Sequence, residues 1–176
     1  MTLFDDICEA AIGNYGIVTS SQAVGMGVHL KDMLEWVKLG RMVKCGRGVY
    51  RIMHYVPTEY DRYAEAVALV GDDAYIWGES VLAMHNLALV NPDKILIASK
   101  RRVRKQLPLW ISVIKFPENA KVDDFNGIPC QNLVDAIMEA RGKIMTERLA
   151  MAVREAGTKG LLSVPESFEL SKEFLK

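Results

Sequence analysis

Arg41-Met42-Val43-Lys44-Cys45-Gly46-Arg47-Gly48-Val49-Tyr50-Arg51 reads as two short strands folded about a Gly-Arg-Gly turn. A tight turn takes the backbone to positive φ, which glycine adopts without steric cost, and the arginine between the glycines is thereby turned toward solvent. The expected product is a charged fingertip carrying Lys44, Arg47 and Arg51.

Upstream, Phe4, Ile7, Cys8, Ala11, Ile12 and Tyr15 form one apolar stripe at helical spacing, on a helix weakened by Gly13 and ended by Gly16. Thr19-Ser20-Ser21-Gln22 matches the capping box, so a short helix starts there with Ala23, Val24 and Met26 inward. Gly25-Met26-Gly27 supplies a tight turn into a third helix from about His29 to Leu39. Its buried face is expected to be Leu30, Leu34 and Val37 with Met33, and Gly40 stops it. His29, Lys31, Asp32, Glu35 and Lys38 are left exposed. Helix, turn, helix and hairpin in this order make residues 3–54 read as a winged helix–turn–helix, whose third helix can enter the major groove of double-stranded DNA. The candidate contacts are Ser20, Ser21, Gln22, His29, Lys31, Lys38, Lys44, Arg47 and Arg51. Ser20, Ser21 and Gln22 could bind a phosphate, or serve only as a helix cap.

Pro57 and Thr58 read as a joint, giving a DNA-binding domain over 1–56 and a second domain over 57–176. There, Tyr60 to Val70 predicts a helix closed by Gly71, and a second helical run follows Glu79-Ser80. Ile95 to Ala98 and Leu109 to Ile114 are strand candidates. The connector between them carries Lys100, Arg101, Arg102, Arg104 and Lys105, which either reach for phosphates or blunt a sheet edge. Further helices begin at Leu133 and near Met145, and Pro165 breaks the chain ahead of a last helix ending in Phe174-Leu175. The fold class is therefore α+β: a winged helix–turn–helix followed by an α+β domain with a small sheet flanked by helices.

The chain has 176 residues, half of them hydrophobic, and a formal charge of zero, so nucleic-acid affinity must come from segregated charge. Between Lys94 and Lys105 stand six Lys/Arg and no acid. Cys8, Cys45 and Cys130 are odd in number and far apart, as expected of free thiols in a reducing cytoplasm. No basic leader follows Met1, and no stretch approaches bilayer-spanning length, so a soluble, cytoplasmic protein with no membrane partner is expected. Reactive motifs are missing. His29, His54 and His85 lack metal-ligand spacing, and phosphate-binding loops, the Gly-x-Ser-x-Gly elbow and an acid-x-Lys pair are absent. Asp123-Asp124 reads as a solvated loop and His85 as a hydrogen-bonded core residue. A non-enzyme with no metal and no cofactor is expected.

Gly27-Val28, Leu34, Val37, Gly40, Val43 and Gly46-Arg47-Gly48-Val49-Tyr50-Arg51 resemble the N-terminal domain of AbiEi-type antitoxins, from bacterial type IV toxin–antitoxin systems. Glu79-Ser80-Val81-Leu82-Ala83-Met84-His85-Asn86-Leu87 is similar to that family's Glu-Ser-Ala-Leu-Ala-x-His-Gly-Leu segment. Gly127-Ile128-Pro129 with Asn132-Leu133-Val134-Asp135 resembles its Gly-Ile-Pro and Thr-Leu-Val-Asp pattern. The resemblance spans roughly residues 4–140. It implies a transcriptional repressor that binds its own operator and an antitoxin that counters a nucleotidyltransferase-type toxin, without stable contact between the two. A homodimer, or cooperative binding on repeated half-sites, is compatible with that role. His29 stands where the family commonly has serine, and Asp32 with Glu35 makes the third helix less basic, so wing phosphate contacts and DNA shape are expected to carry more of the binding. The competing reading is a protein-interaction module that uses the winged domain without touching DNA.

Overall fold

The computed structural model describes residues 2–174. It is a mixed α+β chain with eight helices and two sheets among those residues. It divides into two compact units, one running to Asp72 and including Lys105–Leu107, the other comprising Asp73–Arg104 and the chain from Pro108.

The first unit contains α1 (Leu3–Ile12), β1 (Ile17–Thr19), α2 (Ser20–Gly25), α3 (Leu30–Lys38), β2 (Met42–Gly46), β3 (Val49–Ile52) and α4 (Asp61–Val70). α1 starts at a capping box in which Asp5 N–H donates to Thr2 Oγ1 at 3.3 Å and Thr2 N–H donates to Asp5 Oδ2 at 2.7 Å. It ends at Ile12, short of the expected stripe: Tyr15 lies beyond it at φ +55, and Ile12 faces solvent. Gly16 turns the chain back at φ +71, and a Cβ there would stand 2.5 Å from the Tyr55 ring. That close approach lets β1 form, and all three strands are antiparallel in the order β1-β3-β2.

Phe4, Ile7, Ala11, Val18, Ala23, Val28, Met33, Met42, Tyr50 and Ile52 make the core of this unit. Each large side chain among them contributes roughly 1.5–3 kcal/mol by leaving water. The buried face of α3 differs from the expected one. Met33 is fully enclosed and Trp36 and Val37 pack against the core, whereas Leu30 and Leu34 are 50% and 47% exposed. The indole of Trp36 meets Phe4 edge-on at 4.9 Å between centroids, and burying that larger surface rotates the helix away from its leucines.

The first compact unit also extends past Pro57, where the sequence suggests a joint. The Asp61 carboxylate is buried and accepts from Thr58 N–H at 3.0 Å, Thr58 Oγ1 at 2.7 Å and Tyr55 Oη at 3.0 Å. This fixes the entry to α4, which packs on β1 and β2. The passage between units therefore lies at Asp72-Asp73.

The second unit contains β4 (Ala74–Ile76), α5 (Glu79–Met84), β5 (Ile95–Ser99), β6 (Ile111–Lys115), β7 (Val122–Phe125), β8 (Ile128–Gln131), α6 (Leu133–Glu139), α7 (Thr146–Thr158) and α8 (Val164–Phe174). The sheet order is β6-β5-β4-β8-β7, with β5–β6 and β4–β8 parallel and the other pairs antiparallel. Asp123 and Asp124 lie in β7 instead of a free loop. Asp123 accepts from Asn132 Nδ2 at 2.8 Å, and Asp124 accepts from Gly127 N–H at 2.7 Å across the Asn126-Gly127 turn. Pro165 sits inside the first turn of α8, where its missing N–H costs nothing, behind a Ser163–Glu166 capping box. The expected helix end at Leu175 lies outside the described residues. Among the described residues, no helix is long and apolar enough to cross a membrane.

Candidate nucleic-acid interface

The β2–β3 hairpin turns through Arg47 and Gly48, and of the two flanking glycines Gly48 alone takes positive φ, at +73. Gly46 serves packing. A Cβ there would overlap Leu69 Cδ2, so the bare backbone admits α4 against the hairpin. Ser20 N–H donates to Gly48 O at 2.8 Å, which seats the turn against the start of α2. Arg47 and Ser20 are thus brought together from positions far apart in sequence.

Lys44 and Arg47 are exposed, and no ion pair involves either among the described residues. Arg51 is placed differently from Lys44. Register places Lys44 opposite Tyr50 and Val43 opposite Arg51, so Lys44 and Arg51 point to opposite sheet faces. Arg51 Nη2 lies 2.8 Å from Glu65 Oε2 of α4, with the side chains 29% and 19% exposed. Its guanidinium ties the hairpin to α4.

The Thr19 capping box forms as expected: Gln22 N–H donates to Thr19 Oγ1 at 3.2 Å and Thr19 N–H to Gln22 Oε1 at 2.8 Å. Gln22 is therefore occupied at its amide oxygen, leaving Ser20 and Ser21 as the open hydroxyls. His29 is the N-cap residue of α3 without a side-chain capping bond. His29 and Lys31 are exposed at the start of that helix, and Lys38 at its end is 3.9 Å from Glu35.

The basic connector is split. Lys105 belongs to the first unit, where burial and then the charge of Arg47 lower its pKa, against an opposing pull from Asp72. Lys105 therefore adds positive charge beside the hairpin turn. Lys100 to Arg104 belong to the second unit. Lys100 Nζ lies over the Tyr75 and Phe116 rings at 5.2 and 5.0 Å from their centroids, and Arg101 Nε is 2.5 Å from Asp73 Oδ2. Arg102 and Arg104 are exposed. Lys115, at the end of β6, joins the Lys100 to Arg102 group across parallel register, a neighbour the sequence spacing conceals.

No cluster of His, Cys, Asp and Glu able to hold a metal ion occurs among the described residues. Burial raises the pKa of all three thiols, Cys130 to about 12, which keeps them protonated. His85 is buried against Phe125, as expected of a core residue, and its Nδ1 has no hydrogen-bond partner. Burial, then the charge of Lys159, pushes its imidazole down to about 4, with Asp123 opposing.

A scan against protein-family models finds no match, and a search of the curated proteins likewise finds none.

Proposed function

We propose that the first unit is a winged helix–turn–helix that binds double-stranded DNA, and that the protein is a cytoplasmic operator-binding repressor and antitoxin of the type IV kind. The observation that carries the DNA-binding reading is the Ser20–Gly48 bond, which seats the hairpin turn on α2 while Lys44 and Arg47 stay open to solvent and Lys105 adds charge beside them. In this arrangement α3 lies in the major groove. His29 and Lys31 at its start meet base edges or phosphates, and the exposed Leu30 and Leu34 suit thymine methyl groups. Lys44, Arg47 and Lys105 hold backbone phosphates, with the Ser20 and Ser21 hydroxyls beside them. Arg51 acts one step back by fixing the hairpin to α4. The role against a nucleotidyltransferase-type toxin, without stable contact, rests on the sequence resemblance.

A second reading is favoured by the same half-exposed Leu30 and Leu34, flanked by Asp32 and Glu35: α3 as a protein-docking surface. Titration of a labelled duplex from upstream of the gene, at two salt concentrations, separates the two. Binding that weakens steeply with salt supports the repressor. Salt-insensitive binding, or none, overturns it in favour of the docking surface.

A further inference from the structure

β5 and β6 run parallel in register from Ile95–Ile111 to Ser99–Lys115, so both strands deliver their carboxyl ends to one side of the second unit. Ligands of open sheets commonly bind in a crevice outside such strand ends, where the departing loops leave space. Here the chain leaves β5 through a turn closed by Ser99 Oγ donating to Arg101 O at 2.9 Å. Between that turn and the end of β6 is a groove of about 530 Å³, the size class of small-molecule sites.

Its walls are of two kinds. Val103, Val113 and Ile114 supply apolar surface, and Lys100, Arg102 and Lys115 supply positive charge. Arg101 also lines the groove but is paired with Asp73, and no carboxylate lines it. Lys100 is held over the Tyr75 and Phe116 rings, an arrangement that costs it no charge. Arg102 and Lys115 are exposed and without an ion pair among the described residues. β6 is an edge strand, so its outer backbone groups are open to a ligand as well.

We propose that this groove binds a nucleoside triphosphate, with Arg102 and Lys115 on the phosphates, the base against Val103 and Val113 on the Lys115 side of the β6 edge, and Lys100 adding positive charge from the other sheet face. Three cations without a facing carboxylate match a polyanion better than a single phosphate. The apolar wall would stay uncovered under inorganic phosphate or triphosphate alone. A nucleic-acid strand needs a channel that continues past one nucleotide, and the groove has the volume of one small ligand. The groove shares no residue with the hairpin or α3, so nucleotide binding stands or falls apart from the repressor reading.

Isothermal titration of the full-length chain at low salt tests it, with ATP as probe and inorganic triphosphate, adenosine and a short single-stranded oligonucleotide as comparators. The expected order is ATP tighter than triphosphate, with adenosine undetectable. Arg102→Gln combined with Lys115→Gln is expected to weaken ATP by about a hundredfold, about tenfold for each charge removed. Both sites are exposed, and far-UV circular dichroism checks that the fold is kept. Val103→Asn is expected to weaken ATP while leaving triphosphate binding unchanged, and Lys44→Ala with Arg47→Ala to leave both unchanged. ATP binding that survives the Arg102/Lys115 variant overturns the proposal. So does triphosphate binding as tightly as ATP, or an oligonucleotide that binds through these residues when ATP does not.

Discussion

Replacing Arg51 by alanine separates two duties that sequence alone assigns to all the basic residues of the hairpin. In the folded chain its Nη2 is 2.8 Å from Glu65 Oε2, and both side chains are largely withdrawn from water. Removing the guanidinium leaves a largely desolvated carboxylate next to Cys45, whose thiol pKa burial and then the charge of Glu65 already raise. A hydrogen bond to a charged partner is worth about 1.5–3 kcal/mol. Arg51 Nε is buried without a partner, so the pair is imperfect and the expected loss is toward the low end, about 1–2 kcal/mol. Urea unfolding measures it, and amide exchange localises it, with β3 and α4 expected to lose protection first. Duplex binding followed by anisotropy should show an unchanged salt slope for Arg51→Ala. Lys44→Ala with Arg47→Ala should do the opposite: stability within about 0.5 kcal/mol of the parent, as for exposed substitutions. Its salt slope should fall by about 1.8, so that between about 50 and 200 mM salt the variant loses roughly tenfold less affinity than the parent. If Arg51→Ala flattens the slope as much as the Lys44/Arg47 pair, the assignment of Arg51 to the fold is wrong.

Gly46→Ala drives a methyl into the buried Leu69 Cδ2 at a position without positive φ, and overpacking should cost about 1–3 kcal/mol, much of it recovered by Leu69→Val in the same urea assay. His85 has a folded-state pKa of about 4 against an ordinary 6.5, so the neutral ring is the one the fold favours. Its contribution is intact above pH 6.5 and is lost as pH falls toward about 4, amounting to about 2–3 kcal/mol. The urea midpoint should fall between pH 7 and pH 4.5 in the parent and fall less in His85→Leu. An equal fall in both would remove His85 as the cause.

The parts of the fold legible in the sequence are those with local rules. Thr19 and Gln22 announce α2 because both partners of the capping box lie within one turn, and Gly71 closes α4 where the apolar spacing stops. β1 and β4 have three residues each, too few for a period, and β8 carries Pro129 in its middle, so their pairing comes from sheet neighbours distant in sequence. In α3 two apolar stripes compete, and the contact of Trp36 with Phe4 decides which is buried. At the candidate site, Lys44 and Arg47 are recognisable as hairpin charges. The capture of Arg51 is not, because Glu65 lies fourteen residues on, across the hairpin-to-helix turn. Lys115 is a neighbour of the basic loop only through the parallel register of β5 and β6.

On the DNA-binding proposal, a chain of zero net charge must keep some of its cations away from its own carboxylates, and the ion pairs indicate which cations are withheld from that role. Glu65 takes Arg51, Asp73 takes Arg101 and Glu35 lies near Lys38, in each case a cation beside a helix, strand end or turn that the pair steadies. Lys44 and Arg47 stand at the hairpin, where the Ser20–Gly48 backbone bond fixes the turn without using a side chain. With Lys105, the proposal counts about three phosphate contacts and expects a salt slope of about −2.7, shallow for a DNA-binding protein. Non-specific affinity would then be weak, and most of the discrimination would have to come from α3. The exposed His29, Leu30, Lys31 and Leu34 consequently weigh more in the repressor reading than the charge of the hairpin does. Alanine at Leu30 and Leu34 should lower affinity for the upstream duplex while leaving the salt slope intact, and equal affinity for that duplex and a scrambled one in the parent would deny α3 any part in reading sequence.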